Sequence, residues 1–189
     1  AQSPKVDFGK DAAETQLADV NADGLVDVVV STGTELQTFF ALGRYPGGDT
    51  QFGNARRTGA ETAVLSQEPV RSCLPWSGLP VSFGDRNAKV ADMNGDGLAD
   101  LVRVDRGRII YWPGRGNGTW GTGSRDDCKA GTMGSHRHLE MADSPYYSDL
   151  SGASLRLDDV NGDGLTDLVQ IRMNEVDVWL NVDGRAWTD

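Results

Sequence analysis

Three stretches of the chain share one pattern of polar and apolar positions. Each begins with an acidic, glycine-containing loop and continues as an alternation of apolar and polar residues, as in residues 101–104 and 168–171. Alternation with a period of two is typical of a β-strand with one buried face. A short turn and a second alternating run follow, at Arg108–Trp112 and Glu175–Leu180, which predicts a hairpin. Helical periodicity is weak throughout, so the pattern predicts an all-β protein.

The three stretches are copies of one repeat, at residues 17–30, 90–104 and 157–171. Their first aspartates lie 73 and 67 residues apart. Aromatic residues recur at fixed distances behind these aspartates, namely Phe39, Trp112 and Trp179 at twenty residues and Trp120 and Trp187 at twenty-eight. Self-similarity of this kind indicates a repeat architecture. Each repeat therefore predicts a small antiparallel sheet of about four strands, whose first two strands are joined by the acidic loop.

The loop pattern D-x-N-x-D-G-x-x-D carries the most specific chemistry in the chain. Positions 1, 3, 5 and 9 offer side-chain oxygens, position 7 offers a backbone carbonyl, and the glycine at position 6 permits the positive φ of a sharp turn. Five such groups plus water satisfy the six to eight oxygen ligands of Ca2+. The sequence therefore predicts three calcium sites, with the ligands Asp19, Asn21, Asp23, Leu25 and Asp27; Asp92, Asn94, Asp96, Leu98 and Asp100; and Asp159, Asn161, Asp163, Leu165 and Asp167.

Other metals and other calcium motifs fit these loops less well. An EF-hand needs a glutamate at position 12, where this chain has Val30, Arg103 and Gln170, and it needs flanking helices. Mg2+ prefers a rigid octahedron, and transition metals prefer imidazole or thiolate ligands, which the loops lack. A metal-free turn rich in Asp and Asn is the remaining alternative. Three crowded carboxylates would repel one another there, so three identical copies favour calcium.

Composition and net charge restrict the classes of molecule that this chain is expected to bind. The 189 residues carry a formal net charge of −10, which argues against nucleic acid and anionic membranes. Three bound Ca2+ would add six positive charges and bring −10 to −4, so ligand charge accounts for much of the acidity. No run of about 18 apolar residues predicts a membrane span. No signal peptide is visible, and we expect that a leader has been removed or that the chain is part of a larger protein.

One domain is predicted for residues 1–189, with repeats at about 5–53, 81–121 and 148–189. The inserts 54–80 and 122–147 are rich in Gly, Ser and Pro, and we expect them to combine outer strands with long connections. Cys73 and Cys128 lie in these inserts, where two free thiols and a single disulfide remain equally open.

Three further features have an unremarkable interpretation. His136, His138 and Glu140 would share one side of a strand, which is compatible with zinc or copper, but an exposed loop is favoured. The four tryptophans at repeat positions predict core packing, whereas Trp76 is the better candidate for a surface contact. No catalytic motif has a recognisable local signature, so we expect no enzymatic activity.

The loops, their flanking strands and the pairs Phe8-Gly9 and Phe83-Gly84 resemble the FG-GAP/VCBS-type repeats of integrin α-chain β-propellers and of many bacterial secreted proteins. Residues 91–121 are more narrowly similar to the propeller segment of bacterial toxin-complex B and virulence-plasmid B components, next to Rhs-type proteins. The string that carries this likeness is D-L-V-R-x-x-x-G-x-x-x-Y-W-P-G-x-G-N-G.

The resemblance implies three propeller blades with structural calcium in a secreted or cell-surface protein. By that resemblance the chain would be a carrier or docking part of a bacterial toxin-like protein. An extracellular adhesion module of integrin type is the alternative, and part of a secreted hydrolase is a distant one. Closed propellers usually have four to eight blades. We therefore expect further blades, another protein partner, or a homodimer of six blades.

Overall fold

The computed structural model describes residues 14–32, 35–44, 50–58, 62–66, 69–73, 81–122, 138–146 and 154–188. The strands in these ranges form three antiparallel sheets, which is the predicted all-β class. Within these ranges, no helix has the length and apolar character needed to cross a membrane.

The first sheet is larger than predicted. It contains β1 (Thr15–Ala18), β2 (Asp27–Ser31), β3 (Glu35–Arg44), β4 (Thr50–Thr58), β5 (Thr62–Ser66) and β6 (Val70–Cys73). The strand order is β1-β2-β3-β4-β5, and β6 pairs with the first half of β3. The sheet therefore has six strands instead of about four, because β4 and β5 form an additional hairpin beyond the second half of β3.

The second and third sheets have the predicted four strands. The second has the order β10-β9-β8-β7, and the third has the order β11-β12-β13-β14. Their strands are β7 (Ala88–Ala91), β8 (Asp100–Asp105), β9 (Arg108–Trp112) and β10 (Leu139–Glu140), followed by β11 (Leu155–Asp158), β12 (Asp167–Arg172), β13 (Glu175–Val182) and β14 (Ala186–Thr188). In every sheet the acidic loop joins the first two strands, as the sequence predicts.

Residues 54–80 and 122–147 contribute outer strands to the sheets. The first range holds β5, β6 and part of β4, and the second holds β10. Cys73 ends β6, whereas Cys128, His136 and Trp76 lie outside the described residues, so the possible disulfide stays open.

The core lies between successive sheets. Val29 and Leu36 of the first sheet pack in one buried cluster with Leu101, Ile110 and Trp112 of the second. The interface between the second and third sheets uses equivalent repeat positions, and its members include Val102, Ile109, Leu168 and Trp187. Burying one such side chain contributes about 1.5–3 kcal/mol. Trp112, Trp120 and Trp187 are buried, which confirms their predicted place in the core, and Trp179 packs against the core while only partly buried.

One face of the third sheet is exposed where the equivalent faces of the other two sheets are buried. Val104 and Ile109 of the second sheet are fully buried against the third sheet. Their counterparts in the third sheet, Ile171 and Val176, are 49% and 59% exposed. Val178, on the same face, is 37% exposed. The third sheet thus presents an apolar surface to solvent at the positions that the other two sheets bury.

Candidate metal centre

All three acidic loops (residues 19–27, 92–100 and 159–167) fold in the same way. In the second loop, the two carboxylate oxygens of Asp92 accept hydrogen bonds from the backbone N–H groups of Gly95 and Gly97, both at 2.8 Å. The Asn94 side-chain oxygen accepts from the Asp96 N–H at 3.0 Å, and Asp96 accepts from the Leu98 N–H at 2.9 Å. The turn is therefore built from the side chains at positions 1, 3 and 5.

The third loop repeats these hydrogen bonds, and the first loop repeats those donated by the N–H groups at positions 5, 6 and 7. Asp19 accepts a hydrogen bond from the Gly24 N–H at 2.8 Å, and Asp159 accepts one from the Gly164 N–H at 3.0 Å. The asparagine amide donates to the aspartate at position 5 in all three loops, at 2.9, 3.0 and 2.9 Å. The glycine at position 6 has a positive φ in each loop, as predicted. The residue at position 4 also has a positive φ in each loop, and in the first loop this residue is Ala22, with a φ of 57°.

The aspartate at position 9 is the buried anchor of each loop. Asp27, Asp100 and Asp167 have no exposed surface. Each accepts two backbone hydrogen bonds, one from the residue seven positions earlier and one from the residue fourteen positions later. The donor–acceptor distances are 3.1 and 2.7 Å for Asp27, 2.9 and 2.7 Å for Asp100, and 3.1 and 2.9 Å for Asp167.

This anchor connects three parts of each repeat. Asp100 joins Met93 at the start of its loop to Gly114, beyond the end of β9. Sequence reasoning identified the aspartates but missed their donors. The later donors are backbone groups of Ala41, Gly114 and Asn181, whose side chains have nothing in common.

Burial disfavours the ionised form of two of these aspartates, Asp27 and Asp100. Burial raises the pKa of the Asp100 carboxyl to about 7, against the lowering effect of its two backbone hydrogen bonds, and the charges of Asp96 and Asp92 raise it further. Burial likewise raises the pKa of Asp27, with smaller contributions from Asp23 and Asp19. In the first two loops the surface carboxylates therefore disfavour the ionised form of the buried one.

Neighbouring sheets meet at these loops. The Thr166 N–H donates to the Asp92 carbonyl at 3.0 Å, and the Asn181 amide donates to the Met93 carbonyl at 2.8 Å. The Tyr111 hydroxyl donates to the Gly184 carbonyl at 2.9 Å. The second acidic loop is thus held by residues of the third repeat.

The donor set of each loop fits a hard cation. It consists of carboxylate, amide and carbonyl oxygens, with the first, third and fifth positions near the surface and the ninth beneath them. Over the described ranges, no three His, Cys, Asp or Glu side chains converge as closely as the ligands of a metal centre. The loop carboxylates are directed toward backbone N–H groups, yet each carboxylate retains lone pairs for a cation.

The histidine pair gains no support as a metal site from its described member. His138 contacts the edge of Trp112, with ring centroids 5.6 Å apart. Burial lowers the pKa of His138, and the charge of Arg108 lowers it further. Glu140 forms an ion pair with Arg108 at 3.0 Å, so its carboxylate already has a cationic partner.

Comparisons with known proteins identify a shared fold but no protein family. No protein-family model matches the sequence, and no curated protein matches it. A chain of the Photorhabdus luminescens Tc holotoxin pore matches with a TM-score of 0.61 and 22% identity. A chain of the TcdB2-TccC3-Cdc42 crystal structure matches at 17% identity, and the match covers 93% of this chain and 12% of the other. Its TM-score of 0.43 is too low to support a conclusion about this chain.

The Tc holotoxin match covers 98% of this chain and 7% of the other. At this level of identity the likeness establishes a common fold, and the FG-GAP/VCBS resemblance stays a prediction. The chain therefore has an all-β repeat fold that also occurs as a small part of a much larger toxin-complex chain.

Proposed function

We propose that this chain is a calcium-stabilised interaction or scaffold module. The observation that carries the proposal is the threefold recurrence of one loop, in which a buried aspartate lies beneath two further carboxylates. A bound Ca2+ would neutralise this negative charge and fix the turn between the first two strands. Its role would be structural, because the loop joins the first two strands of its sheet.

Replacing Asp96 by alanine is expected to reduce the calcium stoichiometry from three to two. Asp96 is the exposed ligand at position 5, so its removal takes a charged oxygen from one site and leaves the other two loops intact. Isothermal titration calorimetry on protein stripped of calcium measures the number of sites. The matched control is Asp105→Ala, which removes a carboxylate from the same sheet outside the loop. Three retained sites in the Asp96 variant would refute the assignment.

A carrier or docking role in a toxin-like protein is the function that we favour for the module. The fold shared with the Tc holotoxin chain and the motif in residues 91–121 support it. An extracellular adhesion module of integrin type is the alternative, supported by the calcium loops alone. The sequence that flanks the chain in its full-length protein would discriminate between them, since Rhs-like repeats favour the first and adhesion modules the second.

The exposed face of the third sheet is where we propose that a partner or further blade docks. The corresponding faces of the first two sheets are each covered by the next sheet. A six-bladed ring of two chains would also need the opposite face of the first sheet, but Val28, Val30 and Phe39 form a separate buried cluster there. For the isolated chain we therefore propose a dimer through the third sheet alone.

The double substitution Val176→Lys and Val178→Lys is expected to abolish this dimer. Two lysines would place charge in the apolar contact, while both positions are exposed in the single chain, so its fold should persist. Sedimentation velocity over a range of concentrations measures the mass. Leu17→Lys is the control, because Leu17 is 64% exposed on the first sheet. A wild-type mass that stays near 20.3 kDa at every concentration would contradict the dimer.

A further inference from the structure

The residue three positions before the first loop aspartate has the same place in all three repeats. These residues are Gln16 in β1, Lys89 in β7 and Arg156 in β11. All three line one open pocket of about 270 Å³, whose walls include Val90 and Leu157. The repeat thus brings an amide, an ammonium and a guanidinium group from three different sheets to one cavity.

Among the described residues, the two cations of this pocket have no anionic partner. The ion pairs of the described residues include neither Lys89 nor Arg156. Asp158 lies two residues further along β11, but it makes no ion pair with Arg156. Burial lowers the pKa of Lys89, and the charge of Arg156 lowers it further. Lys89 is half-buried and Arg156 is exposed, and two like charges close together are unfavourable unless a ligand neutralises them.

The overall charge of the protein makes this pair distinctive. The chain carries a net charge of −10, so two cations that line one cavity do not belong to a general basic surface. An anion in the pocket would meet a planar guanidinium fork on one side and an ammonium group on the other.

We propose that the pocket binds a small oxyanion, a sulfate, phosphate or carboxylate group, between Lys89 and Arg156. Charge-assisted hydrogen bonds from both cations would hold it. The amide of Gln16 would supply a further donor from the first sheet. Both cations lie outside the acidic loops, so the proposal holds whether or not the loops bind calcium.

Calorimetric titration of the full chain with sodium sulfate and, separately, with sodium succinate tests the proposal. Both anions leave calcium largely free in solution, and sodium chloride keeps the ionic strength constant. We expect one site per chain with a dissociation constant on the order of 1 mM or below, a modest affinity for a small anion. Binding of sulfate alone would assign a tetrahedral anion, and binding of succinate alone would assign a carboxylate.

The variants Lys89→Gln and Arg156→Gln should each weaken binding by about tenfold or more, since each removes one charge-assisted contact. Lys89→Arg should retain binding because it keeps the charge. Arg172→Gln is the matched control, because Arg172 is paired with Glu175 on another part of the surface. Thermal melts monitor folding, and the calcium stoichiometry is measured separately. Absence of binding by both anions, or binding by the Lys89→Gln and Arg156→Gln variants that is as tight as that of the wild type, would overturn the proposal.

Discussion

Removal of calcium is expected to lower the midpoint of thermal unfolding by roughly 10–30 °C. Calcium sites of extracellular modules have dissociation constants of about 0.1–1 mM. A concentration of about 10 mM would then stabilise the fold by roughly 1.4–2.7 kcal/mol per site, and three sites would contribute about 4–8 kcal/mol. For a chain of this length each kcal/mol shifts the midpoint by about 2–4 °C.

A calorimetric melt in calcium, compared with one after EDTA treatment, measures this shift. Magnesium at the same concentration is the control, because Mg2+ prefers a rigid octahedron of oxygens, whereas Ca2+ accepts a larger and less rigid coordination sphere. We expect magnesium to restore only a small part of the lost stability. A midpoint that EDTA leaves unchanged would contradict a structural role for calcium.

The second large effect is expected from Asp100→Ala, which should lower the free energy of unfolding by about 2–5 kcal/mol even without calcium. The carboxylate accepts the N–H groups of Met93 and Gly114 in a buried place. Truncation leaves both donors without a partner, at about 1–3 kcal/mol each. Because burial raises the pKa of Asp100 to about 7, the loss of a poorly solvated charge offsets part of this effect.

Urea unfolding in calcium-free buffer measures the Asp100 effect. Asp96→Ala is the matched control, since it removes an exposed carboxylate from the same loop and should change calcium-free stability by less than about 1 kcal/mol. Asp100→Asn should fall between the two, because the amide keeps one acceptor oxygen. Equal stability of Asp100→Ala and Asp96→Ala would show that the buried carboxylate is not an anchor.

The sequence predicted the parts of this fold that depend on local periodicity. Alternation after each loop gave the hairpins that became β8–β9 and β12–β13, and the spacing of Trp112 and Trp187 placed them in the core. The acidic loops were predicted with the correct strands on either side. These features repeat three times, so each copy reinforced the interpretation of the others.

The remaining features depend on contacts between distant segments. β6 and β10 carry no repeated motif, so nothing in the sequence pairs them with β3 and β9. The donors to Asp100 are backbone groups, which leave no trace in the choice of side chain. The pocket at Lys89 was missed because a single lysine or arginine on a strand normally reaches solvent, and only the arrangement of the sheets brings Lys89 and Arg156 to one cavity.

The hydrogen bonds of the ninth aspartate also bear on the order in which the molecule assembles. They join residues seven and fourteen positions apart, whereas the bonds from Tyr111 and Asn181 to neighbouring sheets span 73 and 88 residues. Closing a short loop is entropically easier and faster than closing a long one. Each hairpin with its acidic loop can therefore form as soon as it emerges during synthesis, and the slow step becomes the docking of finished sheets onto one another.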